Sequence, residues 1–279
     1  MTPDEPSVQR LLAMSGLHPK KALGQNFLID RHHLQRIVEA AELSRGDRVV
    51  EVGPGTGVLT ACLLEAGVSV VAVEFDRDLE PLLRERFGED GERFRLIIGD
   101  ALDGKHGLNP GLLEAVGDQA FSMVANLPYQ IASPLLINLA IQTPGMRRAV
   151  VMIQREVADR IAAGPGSKTY GVLSILLQAA FEVEKISRVP PGCFYPSPKI
   201  DSAVIRLRRL AEPRVGDLEG FGCFLHRLFS QRRKQVGSVL GRDLAWPDGL
   251  TPESRPEQIG IDDLVRLYKV VLDQGNKRG

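Results

Sequence analysis

The stretch Val-Val-Glu-Val-Gly-Pro-Gly-Thr-Gly, residues 49–57, decides the fold of this chain. A short strand-like run leads directly into three glycines within five positions, and a helical pattern begins at Val58. Glycines at such a junction let the backbone turn sharply and approach a ligand closely. A tight strand-to-helix turn without a ligand is the alternative explanation. It is the weaker one, because three glycines occur within five residues, spaced as Gly-x-Gly-x-Gly. The stretch therefore predicts the first strand and the ligand loop of an open α/β sheet.

Strand-like and helical patterns alternate through the first two-thirds of the chain. Short runs rich in β-branched residues lie at 48–52, 69–74, 94–98, 121–125 and 148–153, and helical patterns separate them at 59–66, 79–87, 112–116 and 134–141. Strands separated by helices indicate a parallel sheet with helices on both faces. Two later runs, 181–189 and 202–207, have no obvious helix between them and predict an antiparallel pair at the sheet edge.

The last quarter of the chain has a different pattern. A linker-like segment at 211–217 precedes amphipathic helical patterns at 218–240 and 261–272. These patterns predict two domains, 1–210 and 211–279, of which the second is small and helical. A chain of 279 residues is long enough for one large and one small domain.

Composition narrows the class of protein. The chain is 43% hydrophobic and 25% charged, as in ordinary globular proteins, and it lacks an apolar run of membrane-spanning length. The first twenty residues lack the apolar region of a signal peptide. The three cysteines are scattered without metal-type spacing, so we expect a reduced cytoplasmic protein with no membrane association and no metal site.

Net charge is zero, but the charges are segregated. Residues 62–120 hold 13 acidic against 6 basic residues, whereas residues 206–242 hold 9 basic against 3 acidic residues. A single charge run is usually a solvated helix face. Segregation on this scale favours a protein that presents one face to a polyanion.

Polar side chains end the predicted strands that follow the glycine loop. Glu74 closes the second strand, 21 residues after Gly53, where a carboxylate can accept from both hydroxyls of a ribose. Asp100 closes the third strand and could either accept from an adenine amino group or cap the following helix. Because the glycine spacing differs from that of dinucleotide-binding loops, S-adenosylmethionine suits the site better than a pyrophosphate cofactor.

The fourth strand ends in Asn126-Leu127-Pro128-Tyr129. An amino group conjugated to a purine is a poor nucleophile, and acceptors on its two hydrogens can make its nitrogen more tetrahedral. The Asn126 oxygen and a main-chain carbonyl are such acceptors, and an aromatic ring can hold an unstacked base by its face. Because the sulfonium of the donor is already a charged leaving group, the transfer requires neither a metal nor a dedicated general base.

At these positions the chain resembles the small-subunit ribosomal RNA adenine N6,N6-dimethyltransferases. The resemblance covers nearly the whole length and rests on motifs in a specific order, which lie at residues 20–28, 51–57, 74, 99–100, 126–129, 164–171, 189–204 and 229–234. It implies a class I, Rossmann-like methyltransferase sheet of seven strands with a small C-terminal helical domain. It also implies S-adenosylmethionine as cofactor, with S-adenosylhomocysteine as product.

The resemblance further implies a role for each matching residue. The expected cofactor-binding residues are Gln25, Asn26, Leu28, Glu51, Gly53, Gly55, Gly57, Glu74, Asp100, Ala101 and Asn126. The expected catalytic residues are Asn126, Leu127, Pro128, Tyr129 and Phe194, with Tyr129 and Phe194 on opposite faces of the target base. The implied substrate is a pair of adjacent adenosines in the 3′-terminal hairpin of small-subunit rRNA, in an assembling 30S subunit, and we expect a monomer.

RNA contacts are predicted for the basic residues Arg147, Arg148, Lys168, Lys199, Arg232, Arg233 and Lys234. Pairing of some of these arginines with acidic residues of the tail, such as Asp243 or Glu253, is the alternative. The chain departs from the family pattern at 235–237, where Gly237 would weaken a helix interior by about 1 kcal/mol relative to alanine. RNA docking by this segment is therefore open.

Other functions are compatible with parts of this pattern. Relatives that dimethylate one large-subunit rRNA adenosine share residues 126–129 and the glycine loop, but the 164–171 and 190–204 stretches favour the small-subunit members. A non-catalytic assembly or transcription factor is a further alternative. The presence of Gly53, Glu74, Asp100 and Asn126 together argues against it, because such a factor would not require them. The basic tail disfavours a small-molecule methyltransferase.

Overall fold

The computed structural model describes residues 6–104 and 106–276. Its strands are, in chain order, β1 Phe27–Leu28, β2 Arg48–Val52, β3 Ser69–Glu74, β4 Phe94–Ile98, β5 Leu102–Asp103, β6 Gly107–Leu108, β7 Phe121–Asn126, β8 Met146–Gln154, β9 Phe181–Val189, β10 Phe194–Tyr195 and β11 Ser202–Arg209. Its α-helices are α1 Val8–Met14, α2 Arg31–Ala40, α3 Val58–Glu65, α4 Glu80–Phe87, α5 Pro110–Val116, α6 Ala132–Gln142, α7 Arg155–Ile161, α8 Val172–Ala180, α9 Leu218–Phe229, α10 Val236–Leu240 and α11 Ile261–Asn276.

A seven-stranded sheet with the order β4-β3-β2-β7-β8-β11-β9 forms the centre of the fold. The pairs β3–β4, β2–β3, β2–β7 and β7–β8 are parallel, and β11 runs antiparallel to β8. The carboxyl ends of β2, β3, β4 and β7 therefore lie on the same side of the sheet, beyond the strand ends, where ligands of open α/β sheets bind. The predicted α/β fold, including the placement of the last two strands at the sheet edge, is confirmed.

The apolar character of the central strands explains their position. Val49, Val50, Val70, Ala72 and Val124 are at most 1% exposed. Strands covered by helices on both faces need apolar residues on both faces, which is why these runs do not alternate with polar residues. Burial of each valine contributes about 1.5–3 kcal/mol before the entropy cost of ordering the chain.

Short two-stranded pairs accompany the main sheet. Strand β1 pairs antiparallel with β10, with Phe27 opposite Tyr195 and Leu28 opposite Phe194. Strands β5 and β6 form a small hairpin directly after β4. The β1–β10 pair links the N-terminal motif, residues 20–28, to the 189–204 segment, although more than 160 residues separate the two strands.

The described chain divides into two compact units by its backbone contacts. One comprises residues 1–158 and 184–208, and the other comprises 159–183 and 209–279. The second unit thus contains helices α8 and α9 together with α11, although α8 precedes residue 210. The functional division into domains 1–210 and 211–279 stays a prediction. Within the described residues, no helix combines the length and apolarity needed to cross a membrane.

The second unit has its own aromatic core. The rings of Phe221, Phe224 and Tyr268 lie with their centroids 5.3–6.1 Å apart. The Tyr268 hydroxyl donates a 2.9 Å hydrogen bond to Asp217, whose other oxygen caps α9 by accepting from the Gly220 amide. The predicted amphipathic helices of the tail therefore bury their apolar faces against one another.

The prediction of a single helix over 218–240 is wrong. Helix α9 ends at Phe229, and α10 begins only at Val236. Gly237 packs against Pro252, because a Cβ at this glycine would lie 2.6 Å from the Cβ of Pro252. The glycine therefore allows a close contact within the second unit, rather than weakening the interior of a long helix.

Candidate active site

One cavity lies at the carboxyl edge of the sheet. It is bounded by the ends of β2, β3, β4 and β7 and by the N-terminal motif. The lining residues are Leu23, Gly24, Gln25, Asn26, Phe27, Val52, Gly53, Gly55, Val73, Glu74, Phe75, Leu79, Gly99, Asp100, Ala101, Asn126, Leu127, Pro128, Tyr129, Gln130 and Ile131. Most of the residues predicted from the sequence for cofactor and base are thus brought together.

The glycine loop exposes bare backbone to this cavity. Gly53 has φ of 73° and Gly55 has φ of 60°, values in the left-handed region that favours glycine. A Cβ at Gly53 would lie 3.2 Å from Pro128, and one at Gly55 would lie 2.8 Å from the ring of Phe27. The loop, the turn after β7 and the N-terminal motif therefore fit together only because these two residues lack side chains.

Glu74 presents a carboxylate whose orientation is fixed by the backbone. One oxygen accepts from the Gly55 amide at 3.0 Å and the other accepts from the Asp76 amide at 2.8 Å. Burial raises the pKa of Glu74, and the two amide donors oppose that rise. Each oxygen keeps acceptor capacity beyond its backbone bond, as the binding of two vicinal hydroxyls requires.

Glu51 lies off the cavity wall. Its side chain is 1% exposed, and it accepts a 2.6 Å hydrogen bond from the Thr60 hydroxyl of α3. Burial raises the pKa of Glu51 to about 8. The structure therefore places this residue in the interior, as a mostly neutral acid at pH 7, and not among the residues that line the cavity.

Asp100 and Ala101 lie on the cavity wall after β4. One Asp100 oxygen accepts from the Leu102 amide at 2.9 Å, which closes the turn into the β5–β6 hairpin. The alternative of a helix cap is wrong, because α5 begins at Pro110 and Asn109 caps it. Asp100 is exposed, so its carboxylate is accessible to a ligand amino group.

The turn after β7 is held at both ends. The Leu127 amide donates to the Met152 carbonyl of β8 at 3.0 Å, and the Ile131 amide donates to the Pro128 carbonyl at 3.2 Å. The Asn126 Nδ2 donates to the main-chain carbonyl of Asn26 at 3.2 Å. This bond uses the donor end of the carboxamide and leaves its oxygen as the acceptor.

Tyr129 is fixed by its hydroxyl. The phenol oxygen lies 2.8 Å from the hydroxyl oxygen of Ser202, the first residue of β11, which is fully buried. Burial raises the pKa of Tyr129, so the phenol is protonated at neutral pH. The ring therefore stands at a set position on the cavity wall, as stacking on a base requires.

The N-terminal motif is tied to the loop after β3. The Lys20 Nζ lies 2.5 Å from a carboxylate oxygen of both Asp76 and Asp78. The side-chain Nε2 of Gln25 donates to Asp76 at 2.7 Å. Burial alone would raise the pKa of Asp76, but the bonds from Lys20 and Gln25 outweigh burial and lower it. Gln25 therefore orients the motif from the cavity rim, and Asn26 lies next to Asn126.

Several predicted site residues do not reach the cavity. Leu28 is buried in β1, Gly57 caps α3 beneath the ring of Phe87, and Phe194 is 3% exposed within the core. Phe194 therefore does not line the cavity together with Tyr129, and its predicted stacking on the target base stays a prediction. The exposed aromatic next to it is Tyr195, at 37%.

Phe75 and Ser202 belong to the site but were not predicted from the sequence. Phe75 lines the cavity and is 58% exposed, which is unusual for a large apolar side chain. It directly follows Glu74, so an aromatic residue after an acidic strand end was an available signal. Ser202 offered no such signal, because its contact with Tyr129 spans 73 residues.

In the first unit, the predicted RNA-binding residues differ in their surroundings. Arg147 and Lys199 are exposed. Arg148 is 20% exposed, pairs with Glu42 at 2.7 Å and donates to the Ala41 carbonyl. Arg148 therefore stabilises the end of α2, whereas Arg147 and Lys199 present free surface.

In the second unit, Lys168, Arg233 and Lys234 are exposed. Arg232 donates to the main-chain carbonyls of Lys168 and Ser167, at 2.9 Å and 3.1 Å, and so fixes the 164–171 loop. Residues 232–234 lie in the turn between α9 and α10 and not on a helix. Pairing with acidic residues of the tail also occurs, because Arg232 lies 4.0 Å from Glu257 and Arg242 lies 3.2 Å from Glu253.

Comparison with known sequences decides the family. The pattern of the family described as "Ribosomal RNA adenine dimethylase" matches residues 16–271. The chain belongs to this family. A relative from Geobacter metallireducens named ribosomal RNA small subunit methyltransferase A is 38% identical, over 94% of this chain and 98% of its own. Another of that name from Opitutus terrae is 42% identical, over 93% of this chain and 92% of its own.

Two solved structures have the same fold as this chain. A dimethyladenosine transferase from Plasmodium falciparum superposes with a TM-score of 0.72 at 24% identity, covering 91% of this chain and 98% of its own. The 23S rRNA methyltransferase ErmE superposes with a TM-score of 0.67 at 27% identity, covering 88% of this chain and 99% of its own. The sheet of this chain is thus the Rossmann-like sheet of the rRNA adenine dimethyltransferases.

Proposed function

We propose that this protein transfers methyl groups from S-adenosylmethionine to N6 of two adjacent adenosines in the 3′-terminal hairpin of small-subunit rRNA, giving N6,N6-dimethyladenosine. The observation that carries the proposal is the placement of the Asn126 carboxamide and the Glu74 carboxylate in one cavity. Family membership supports the reaction class, and the names of two relatives support the substrate.

The cavity suits this cofactor. Its floor at Gly53 and Gly55 is backbone without side chains, which allows a close approach. Glu74 offers two oriented acceptors, and Asp100 offers a carboxylate from the adjacent strand. We assign Glu74 to the ribose, Asp100 to the adenine and the glycine loop to the methionine moiety.

When bound, S-adenosylmethionine supplies an electrophilic methyl group on a sulfonium. The protein's contribution is to orient and polarise the amine that receives it. The Asn126 oxygen accepts one N6 hydrogen, and the Leu127 carbonyl accepts the other, which concentrates the nitrogen lone pair. Tyr129 holds the base by its face, and the proton released from N6 passes to solvent. Positioning of this kind is worth roughly 7–11 kcal/mol in favourable cases.

The small-subunit substrate is favoured over the large-subunit one. Three relatives named for the small subunit are 37–42% identical to this chain over more than nine-tenths of its length, whereas ErmE, named for 23S rRNA, is 27% identical. We further propose that the protein acts as a monomer in the cytoplasm on an assembling 30S subunit. Arg147 and Lys199 of the first unit, and Lys168, Arg233 and Lys234 of the second, would contact its phosphates.

The experiment is transfer of labelled methyl groups to small subunits that lack the modification, with large-subunit rRNA as a parallel substrate. Digestion and identification of the labelled nucleosides should give N6,N6-dimethyladenosine from the small subunit alone. Label in the large-subunit RNA alone would overturn the substrate assignment, and label in neither would overturn the activity.

A further inference from the structure

A cluster of three metal-ligating side chains lies outside the cavity. Asp30, His33 and Cys193 each offer one donor atom, and these atoms lie within 4.8 Å of one another. Asp30 caps α2, His33 stands one turn along that helix, and Cys193 directly precedes β10. Because 160 residues separate His33 from Cys193, only the fold brings the three together.

The backbone holds the cluster in place. The Ile29 amide donates to the Cys193 carbonyl at 2.9 Å, which continues the β1–β10 pairing up to the cysteine. One Asp30 oxygen accepts from the His33 amide at 2.9 Å, which sets the first turn of α2. The three donors are therefore attached to neighbouring, mutually bonded segments rather than to free loops.

His33 carries an unsatisfied polar atom. Its Nδ1 is buried and has no hydrogen-bond partner within the described residues. Buried polar atoms without partners are rare in folded proteins, and an ion that engages the group is one of the recognised explanations. This atom is an observation independent of the spacing of the three donors.

The donor set indicates which ion fits. A thiolate and an imidazole select zinc and related transition metals over magnesium or calcium, which prefer oxygen ligands. Tetrahedral zinc with bonds of about 2.0–2.3 Å separates its ligand atoms by roughly 3.3–3.8 Å. The three donors, which lie within 4.8 Å of one another, need to approach by at most about 1–1.5 Å to reach that spacing. The Cys193 thiolate and the Asp30 carboxylate together would neutralise the charge of Zn²⁺.

We propose that Asp30, His33 and Cys193 form a zinc site that fastens the β1–β10 pair to the start of α2. Water would supply the fourth ligand, and the cysteine thiol would release its proton to solvent on binding. The site lies apart from the methyl-transfer cavity but is attached to it, because Phe27 of β1 lines the cavity and packs against Gly55. Zinc here would stabilise the segment that closes the cavity.

The test is calorimetric titration of the chelator-treated, full-length protein with ZnCl₂. The proposal predicts one zinc per chain, and replacement of one ligand should weaken binding at least about tenfold. Suitable variants are Cys193→Ser, His33→Gln and Asp30→Asn, of which the last keeps an oxygen to cap α2. Cys223→Ser removes an exposed cysteine of the second unit and is the matched control.

Cobalt provides a second readout that does not depend on stability. Co²⁺ bound by the wild-type protein should show a thiolate-to-metal charge-transfer absorption, absent in Cys193→Ser and present in Cys223→Ser. Zinc should also raise the melting temperature of the wild type but not of Cys193→Ser. Absence of zinc binding by the wild type, or equal binding by Cys193→Ser, would overturn the proposal.

Discussion

The carboxamide of Asn126 donates from its Nδ2 to the main-chain carbonyl of Asn26, 3.2 Å away. This bond joins the end of β7 to the N-terminal motif across 100 residues of sequence. It also settles the orientation of the carboxamide, since its nitrogen faces a carbonyl and its oxygen is the remaining acceptor. The proposed polarisation of the target amine depends on that orientation.

Glu74→Gln should weaken binding of S-adenosylmethionine by about 10- to 100-fold, as expected when hydrogen bonds to a charged group are lost. A glutamine has one acceptor oxygen, so its amide group would face one of the two backbone amides that the carboxylate now satisfies. Calorimetric titration with the cofactor measures the effect. Glu51→Gln is the matched control, because Glu51 lies off the cavity, and its affinity should stay within about threefold of wild type. Equal losses in both variants would refute the assignment of Glu74.

Glu51 should make the protein less stable as pH rises. Its pKa is raised from 4.5 to about 8 in the folded state, so between these values the folded protein binds more protons than the unfolded chain. The stabilising contribution is complete below about pH 4.5 and is lost as pH rises through about 8. Glu51→Gln should remove this dependence, which amounts to a few kcal/mol.

Unfolding in urea at pH 5 and pH 8 tests this expectation. The difference in unfolding free energy between the two pH values should be smaller in Glu51→Gln than in wild type. Glu85→Gln, at an exposed position of α4, should leave the difference unchanged. The same pH dependence in wild type and Glu51→Gln would show that Glu51 is ionised in the folded protein.

Gly53→Ala should impair methyl transfer beyond its effect on stability. The left-handed φ of 73° costs alanine about 1–2 kcal/mol, and the new Cβ would press on Pro128 at 3.2 Å. Gly46→Ala is the matched control, because Gly46 has φ of 89° but no atom within 4 Å of its Cβ position. Both variants should melt at lower temperature, but only Gly53→Ala should lose turnover at a temperature where both are folded. Equal turnover in the two would contradict the close packing of loop and turn.

Ser202 should act through Tyr129. Ser202→Ala and Tyr129→Phe each remove the 2.8 Å hydroxyl contact, so both should lower turnover, and the double variant should be no worse than either single one. Ser202→Thr keeps the hydroxyl and should restore part of the activity. The double-mutant cycle compares single-turnover rates of the wild type, Ser202→Ala, Tyr129→Phe and the double variant. Additive losses would show that the two residues act independently.

The strands and their order along the chain were predictable, because each strand has a recognisable local sequence pattern. Strands β2, β3, β4 and β9 were predicted with the bounds found, since β-branched runs between glycines and polar residues leave little choice of element. Helix α8 and the division after Phe229 were not predicted. An apolar helix of nine residues resembles a buried strand, and the packing of Gly237 on Pro252 depends on distant sequence.

The site was predictable where it consists of strand ends and unpredictable where it consists of contacts between distant segments. Gly53, Glu74, Asp100 and Asn126 follow from the rule that parallel strands share a carboxyl edge. The burial of Phe194 does not follow from that rule, because the ring lies in the core only as a result of the long-range pairing of β1 with β10. The ties from Lys20 to Asp76 and from Ser202 to Tyr129 likewise need the fold, as does the Asp30, His33 and Cys193 cluster.

In the proposed mechanism, the Asn126 oxygen activates the target amine while Glu74 and the glycine loop hold the donor. Single-turnover methyl transfer by Asn126→Ala at saturating cofactor, together with the cofactor dissociation constant of this variant, separates these two roles. The proposed mechanism predicts a rate at least about 100-fold below wild type, by analogy with a lost transition-state hydrogen bond, and a dissociation constant within about tenfold of wild type. A rate close to that of wild type would contradict it.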